Sequence, residues 1–121
     1  MTTIVDSATH KTGCLCEQGS ACFSQFHGTP LGCDKTAGRF ADVTLYSCRT
    51  CNRLWLHYRV EYEAFVGSGR WARGLIPDDV AAAMTPERAV DYLHGLDWYL
   101  YGGSFFDGFT GCRSGPMRWE L

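Results

Sequence analysis

The sequence predicts an α+β fold: a small antiparallel β-meander with one or two helices packed on it, and a cysteine-rich N-terminal loop region over residues 1–42. Three observations predict it. Residues 54–65 alternate strictly with period two, a Gly67-Ser68-Gly69 turn follows, and helix-start signals stand at Pro77-Asp78-Asp79 and Thr85-Pro86-Glu87. At 121 residues the chain has the length of a single domain, 1–121, and can bury about two thirds of its unfolded surface in one core.

Each element has its own warrant. Residues 1–42 are rich in Gly, Ser, Thr and Cys with little apolar periodicity, which reads as irregular loop that needs a staple to become ordered. Val43 to Ser47 reads as a short strand. In the long segment that follows, Leu54, Leu56, Tyr58, Val60, Tyr62 and Ala64 form one face, and Trp55, His57, Arg59, Glu61, Glu63 and Phe65 the other. Such alternation predicts one buried and one solvated face. Trp71 to Ile76 can return as a third strand, with Arg70 and Arg73 placed for ion pairs across the polar face. The acidic pair Asp78-Asp79 suits the start of a short helix through Met84. A second helix has Thr85 as N-cap, Pro86 at its first position and Gly95 beyond its end, with Ala89, Tyr92, Leu93 and Leu96 at helical spacing. Beyond it, Trp98 to Tyr101 reads as a strand, and Gly102-Gly103 and Asp107-Gly108 as turns.

Composition narrows the function. Net charge is −2, divided between +2 over residues 1–60 (six Lys/Arg, four Asp/Glu) and −4 over residues 61–121 (five against nine). That balance lacks the basic footprint of a nucleic-acid binder. The first twelve residues contain Asp6, His10 and Lys11 but no apolar core of a leader peptide, and no apolar run approaches the length of a membrane span. A cytoplasmic, reducing location is therefore expected, where paired cysteines more often hold metal than each other.

Seven cysteines make that expectation specific. Cys48 and Cys51 are separated by two residues, a spacer that lets both sulfurs of one tight turn reach a single ion at about 2.3 Å. Over residues 43–60 the segment resembles the knuckle of zinc-ribbon proteins, in which a strand runs into Cys-x2-Cys and a second strand leaves. It departs from that pattern at Asn52, where such knuckles usually have Gly, and in having Cys14-Leu15-Cys16 rather than a matching Cys-x2-Cys. The expected ligands to one structural Zn²⁺ are Cys14, Cys16, Cys48 and Cys51, with Cys22, Cys33, His10 and His27 as other candidates for the third and fourth positions. A redox role for Cys48-x2-Cys51 is disfavoured because a strand, not a helix N-terminus, follows. Cys112 has no assigned part.

No catalytic motif stands out. The row His57, Arg59, Glu61, Glu63 can in principle supply a general base, and a small hydrolase using His57 and Glu61 is one alternative. A zinc-ribbon-like nucleic-acid-binding or regulatory protein is another, carried by Arg39, Arg49, Arg53 and Arg59 around the knuckle. The reading preferred is a non-enzymatic protein-binding domain. In size, acidity and lack of catalytic motifs the chain is similar to small bacterial immunity proteins, which neutralise a toxin by covering its active site. That resemblance implies a basic protein partner, met by Glu61, Glu63, Asp78 and Asp79 with Trp55 and Phe65 beside them.

Overall fold

The computed structural model describes residues 14–17, 23–36, 40–60, 70–103 and 110–113. Its centre is an antiparallel sheet in strict meander order, β1-β2-β3-β4-β5-β6. The strands are β1 (Phe26–Asp34), β2 (Ala41–Cys48), β3 (Leu54–Val60), β4 (Arg70–Leu75), β5 (Tyr99–Gly103) and β6 (Thr110–Arg113). Between β4 and β5 lie helix α1 (Asp78–Ala82), a 3-10 turn at Pro86–Arg88 and helix α2 (Ala89–His94). The chain is thus α+β with a meander sheet, of six strands among the described residues where four were expected, three of them in the meander and one near Trp98 to Tyr101. Among the described residues no helix is long and apolar enough to cross a membrane.

β1 corrects the reading of residues 1–42 as loop throughout. Its residues Phe26 to Pro30 and Gly32 to Asp34 pair with β2, and the register shifts between Pro30 and Gly32. Gly28, Pro30 and Gly32 break the apolar alternation, and an edge position tolerates the proline that an inner strand would exclude. Gly32 has φ +133°, a conformation few side chains adopt, and the ring of Pro86 sits 3.2 Å from where its Cβ would be. Asp34 closes the strand in full burial: its carboxylate accepts the Tyr58 hydroxyl at 2.5 Å and the Thr36 N–H at 2.9 Å.

The helices cover one face of the sheet. Val43, Leu56, Tyr58, Val60, Ala72 and Tyr99 meet Ala81, Ala89, Val90 and Leu93 there. Gly74 lets α2 come down onto β4, since a Cβ at that position would lie 2.2 Å from Leu96 Cδ1. Thr85 does occupy the N-cap position, but its side chain makes no capping hydrogen bond and the first turn is 3-10. Gly102 and Gly103 extend β5 rather than forming a turn. The expected turns at Gly67-Ser68-Gly69 and Asp107-Gly108 lie outside the described residues.

The opposite face is also buried over Trp55 and His57, with Arg59 exposed near its end, which corrects the expectation of a solvated side along the whole of β3. Trp55, Leu56, His57 and Tyr58 are consecutive and all buried. Trp55 joins Phe26, Cys48, Leu75 and Leu100 in a second cluster, closed from above by Cys16 and flanked by Trp98. A strand covered on both sides loses its polar side, whatever its alternation suggests.

Candidate metal centre

Two short segments bring four cysteines together. Cys48 ends β2, and the chain turns through residues 49–53 with Asn52 in the left-handed region at φ 64°. Asn is among the residues that enter this region readily, so it serves where a knuckle would otherwise take glycine. The turn is pinned by the Asn52 N–H to the Cys48 carbonyl at 2.8 Å and the Cys48 N–H to the Arg53 carbonyl at 2.9 Å. Across it, Cys14 and Cys16 flank the start of a 3-10 turn at Leu15–Glu17, in which the Glu17 N–H reaches the Cys14 carbonyl at 3.0 Å.

The four sulfurs all lie within 4.8 Å of one another. Cys14 Sγ stands 3.7 Å from Cys48 Sγ, and Cys16 Sγ 3.7 Å from Cys51 Sγ. These separations are far beyond a disulfide bond, and the cysteines are free. They match the edge of a tetrahedron of sulfurs around an ion with bonds of about 2.3 Å, which is about 3.8 Å. The donor set therefore fits one metal ion, held by Cys14, Cys16, Cys48 and Cys51.

Polar neighbours complete the site. Thr50 N–H donates to Cys48 Sγ at 3.4 Å, and Arg53 Nε donates to Cys51 Sγ at 3.5 Å. Arg53 also pairs with Glu17, tying the two cysteine segments together through a largely buried ion pair. Burial raises the Cys51 thiol, but the Arg53 guanidinium and backbone outweigh it and bring it down to about 6. Burial pushes the Cys16 thiol up. A cation bound among the four sulfurs would favour the thiolate at each of them.

A second guanidinium lies beneath. Arg73 is buried, its Nη2 donates to the Cys16 carbonyl at 3.0 Å, and its plane centre stands 5.2 Å from the Phe26 ring, 5.2 Å from Trp55 and 5.3 Å from Trp71. The cation–π geometry and the carbonyl replace water around the charge. Burial lowers its pKa to about 10, which still leaves it protonated at neutral pH. It thus supports the metal-holding turn from below instead of forming a surface ion pair.

The other expected site residues are placed differently. Trp55 is fully buried and meets Trp98 edge to face at 5.9 Å, so it is part of the core and not a partner contact. His57 is likewise enclosed, stacked on Trp71 at 6.0 Å and edge-on to Tyr46 at 5.1 Å. Cys33 lies in β1, apart from the four-cysteine cluster, and His27 is exposed on the same strand. Asp78 and Asp79 are exposed at the start of α1. Glu61, Glu63, Phe65, Cys22 and His10 lie outside the described residues, while Cys112 falls in β6. Sequence reasoning missed Glu17, Arg53 and Arg73 as supports of the site. Glu17 and Arg53 were detectable as charges adjoining the cysteine pairs; Arg73 had no local signal.

Burial lowers the His57 pKa to about 3, assisted by the Arg73 and Arg59 charges, so the ring is neutral at ordinary pH. Above pH about 6.5 neither folded nor unfolded His57 binds a proton; between about 6.5 and 3 only the unfolded chain does, so stability falls as pH falls, by about 1.4 kcal/mol per unit. Chemical denaturation of the native chain and of His57→Gln across pH 4 to 7 checks this. The variant is expected to take up one proton fewer on unfolding, whereas equal slopes would show the ring to be open to water.

No family model matches the chain, and neither a curated protein nor a solved structure does. The site itself carries the functional reading.

Proposed function

We propose that this chain is a zinc-stapled protein-binding domain, an inhibitor or adaptor that covers a basic surface of its partner as an immunity protein covers a toxin. The carrying observation is the set of four cysteine sulfurs, all within 4.8 Å of one another and two pairs of them 3.7 Å apart, near the edge of a thiolate tetrahedron. Four thiolates suit a soft, borderline cation such as Zn²⁺. They also leave it no open coordination position, so the ion acts as a structural pin and not as a reaction centre. Activity then belongs to the surface that the pin keeps in shape. Asp78 and Asp79 stand exposed at the start of α1, and in sequence residues 61–121 carry nine Asp/Glu against five Lys/Arg, a balance that gives a negative field. Such a field speeds encounter with a basic partner and makes the association rate sensitive to salt.

The test has two parts. Elemental analysis of freshly purified protein is expected to give one equivalent of zinc. Purification from the native host is expected to return a basic protein whose activity falls on binding and whose association weakens with salt. Recovery of RNA or DNA in its place would move the chain to the nucleic-acid-binding class.

A further inference from the structure

Helices α1 and α2 leave an open groove between them, lined by Val80, Ala83, Met84, Arg88, Asp91 and Tyr92. Its floor is apolar, and its wall is fixed because the Tyr92 hydroxyl donates to the Leu75 carbonyl at 2.8 Å. Asp91 and Arg88 line it, and Asp78, Asp79 and Glu87, close in sequence to the other lining residues, are exposed; Arg88 is the single arginine in the span from Asp78 to His94. None of these four carboxylates enters an ion pair among the described residues. The exposed arginines Arg49 and Arg59 lie elsewhere, on the knuckle and on β3. Among the described residues charge is thus largely segregated: the helix layer carries four exposed carboxylates against Arg88, and the other arginines lie on the sheet and at the metal centre.

We infer that the α1–α2 groove docks a basic amphipathic segment of a partner protein, an apolar side chain entering between Val80, Met84 and Tyr92 while flanking Lys or Arg residues meet Asp78, Asp79 and Asp91. This rests on the protein-binding reading above and names the surface that does the binding. The pairing follows from complementarity. Apolar floor alone would accept any greasy segment, whereas an unpaired acidic rim repels acidic ones and draws basic ones in. A helix laid in such a groove contributes one apolar stripe and places charges to either side of it.

A synthetic helical peptide of about four turns, with leucine on one face and lysine on the other, is the probe. Titrated into the zinc-loaded protein and followed by NMR, it is expected to shift the Met84 methyl and the Ala83 and Tyr92 amides. Affinity should fall roughly tenfold or more between about 50 and 300 mM salt, and again in Asp78→Lys/Asp91→Lys. Met84→Glu separates the two components: it weakens binding if an apolar side chain enters the groove and strengthens it if only charge is felt, which would overturn the inference. Zinc content of each variant shows that the fold is kept. Shifts confined to the sheet or knuckle would overturn the groove but leave a basic partner in place. Absence of any binding by the lysine peptide, or equal binding of its glutamate counterpart, would sink both readings. Concentration-dependent self-association displaced by the peptide would make a second copy of this chain the occupant, against the inference.

Discussion

Cys48→Ser is expected to lose the metal and release the segment containing Cys14 and Cys16 from the sheet. Cys48 is fully buried, its sulfur stands 3.7 Å from that of Cys14, and its amide and carbonyl close the knuckle turn. Binding free energy at a structural zinc site is on the order of 10 kcal/mol and is folding free energy, because no such site exists in the unfolded chain. Loss of one of four thiolates removes most of it. Besides the sulfurs, the segment is held by the Glu17–Arg53 pair and by the Arg73 bond to the Cys16 carbonyl, which together contribute far less than the metal. With Cys16 lifted away, Trp55 becomes wet. The expected readouts are less than half an equivalent of metal and a red-shifted tryptophan emission, both reproduced in the native chain by a strong chelator. Cys33→Ser, outside the cluster, is expected to keep its full equivalent. A Cys48→Ser protein with unchanged metal content and melting behaviour would show the sulfurs to be bystanders.

Arg73→Ala carries the second-largest effect. The guanidinium fills the space between Phe26, Trp55 and Trp71 and satisfies the Cys16 carbonyl. Truncation leaves a void beside three aromatic rings and a carbonyl without its donor, and large-to-small changes in such settings cost about 3–5 kcal/mol. Because the lost donor holds the metal-binding turn, metal affinity should fall as well, by roughly 10–100-fold as for other groups that orient ligands. Arg73→Met distinguishes the two losses. It refills much of the volume without the charge or the donor, so stability is expected to recover in part while metal affinity stays low. Competition with a calibrated chelator, alongside denaturant unfolding, measures both. Recovery of full affinity in Arg73→Met would show that the arginine acts by packing alone.

Much of the architecture was legible from local pattern. The Cys-x2-Cys turn between two strands, the alternation of Leu54 to Val60 and the helix signals around Pro77 and Pro86 are short-range features, encoded within a few residues. The pairing of Cys14 and Cys16 with the knuckle was also legible, because few other groups can staple a segment with so little apolar content. β1 was not, because Gly28, Pro30 and Gly32 erase the periodicity on which strand reading depends, and its order comes from pairing with β2. The exposure of Trp55 and His57 was misjudged for a related reason. Alternation reports that a strand has two different faces, but not that a second layer covers the less apolar one.

What the sequence by itself determined was the set of local choices: where the chain turns, where it extends, which sulfurs are spaced for one ion and where acidic residues outnumber basic ones. Only the tertiary structure decided what each side chain faces. It sank Trp55 beneath the cysteine-bearing turn and His57 between Tyr46 and Trp71, wrapped Arg73 in three rings from three strands, and left Asp78 and Asp79 exposed at the start of α1 and Asp91 on the groove. The physical reason is range: backbone conformation is set by neighbours in sequence, whereas desolvation is set by whatever distant segment arrives on top, here one that four sulfurs can hold in place.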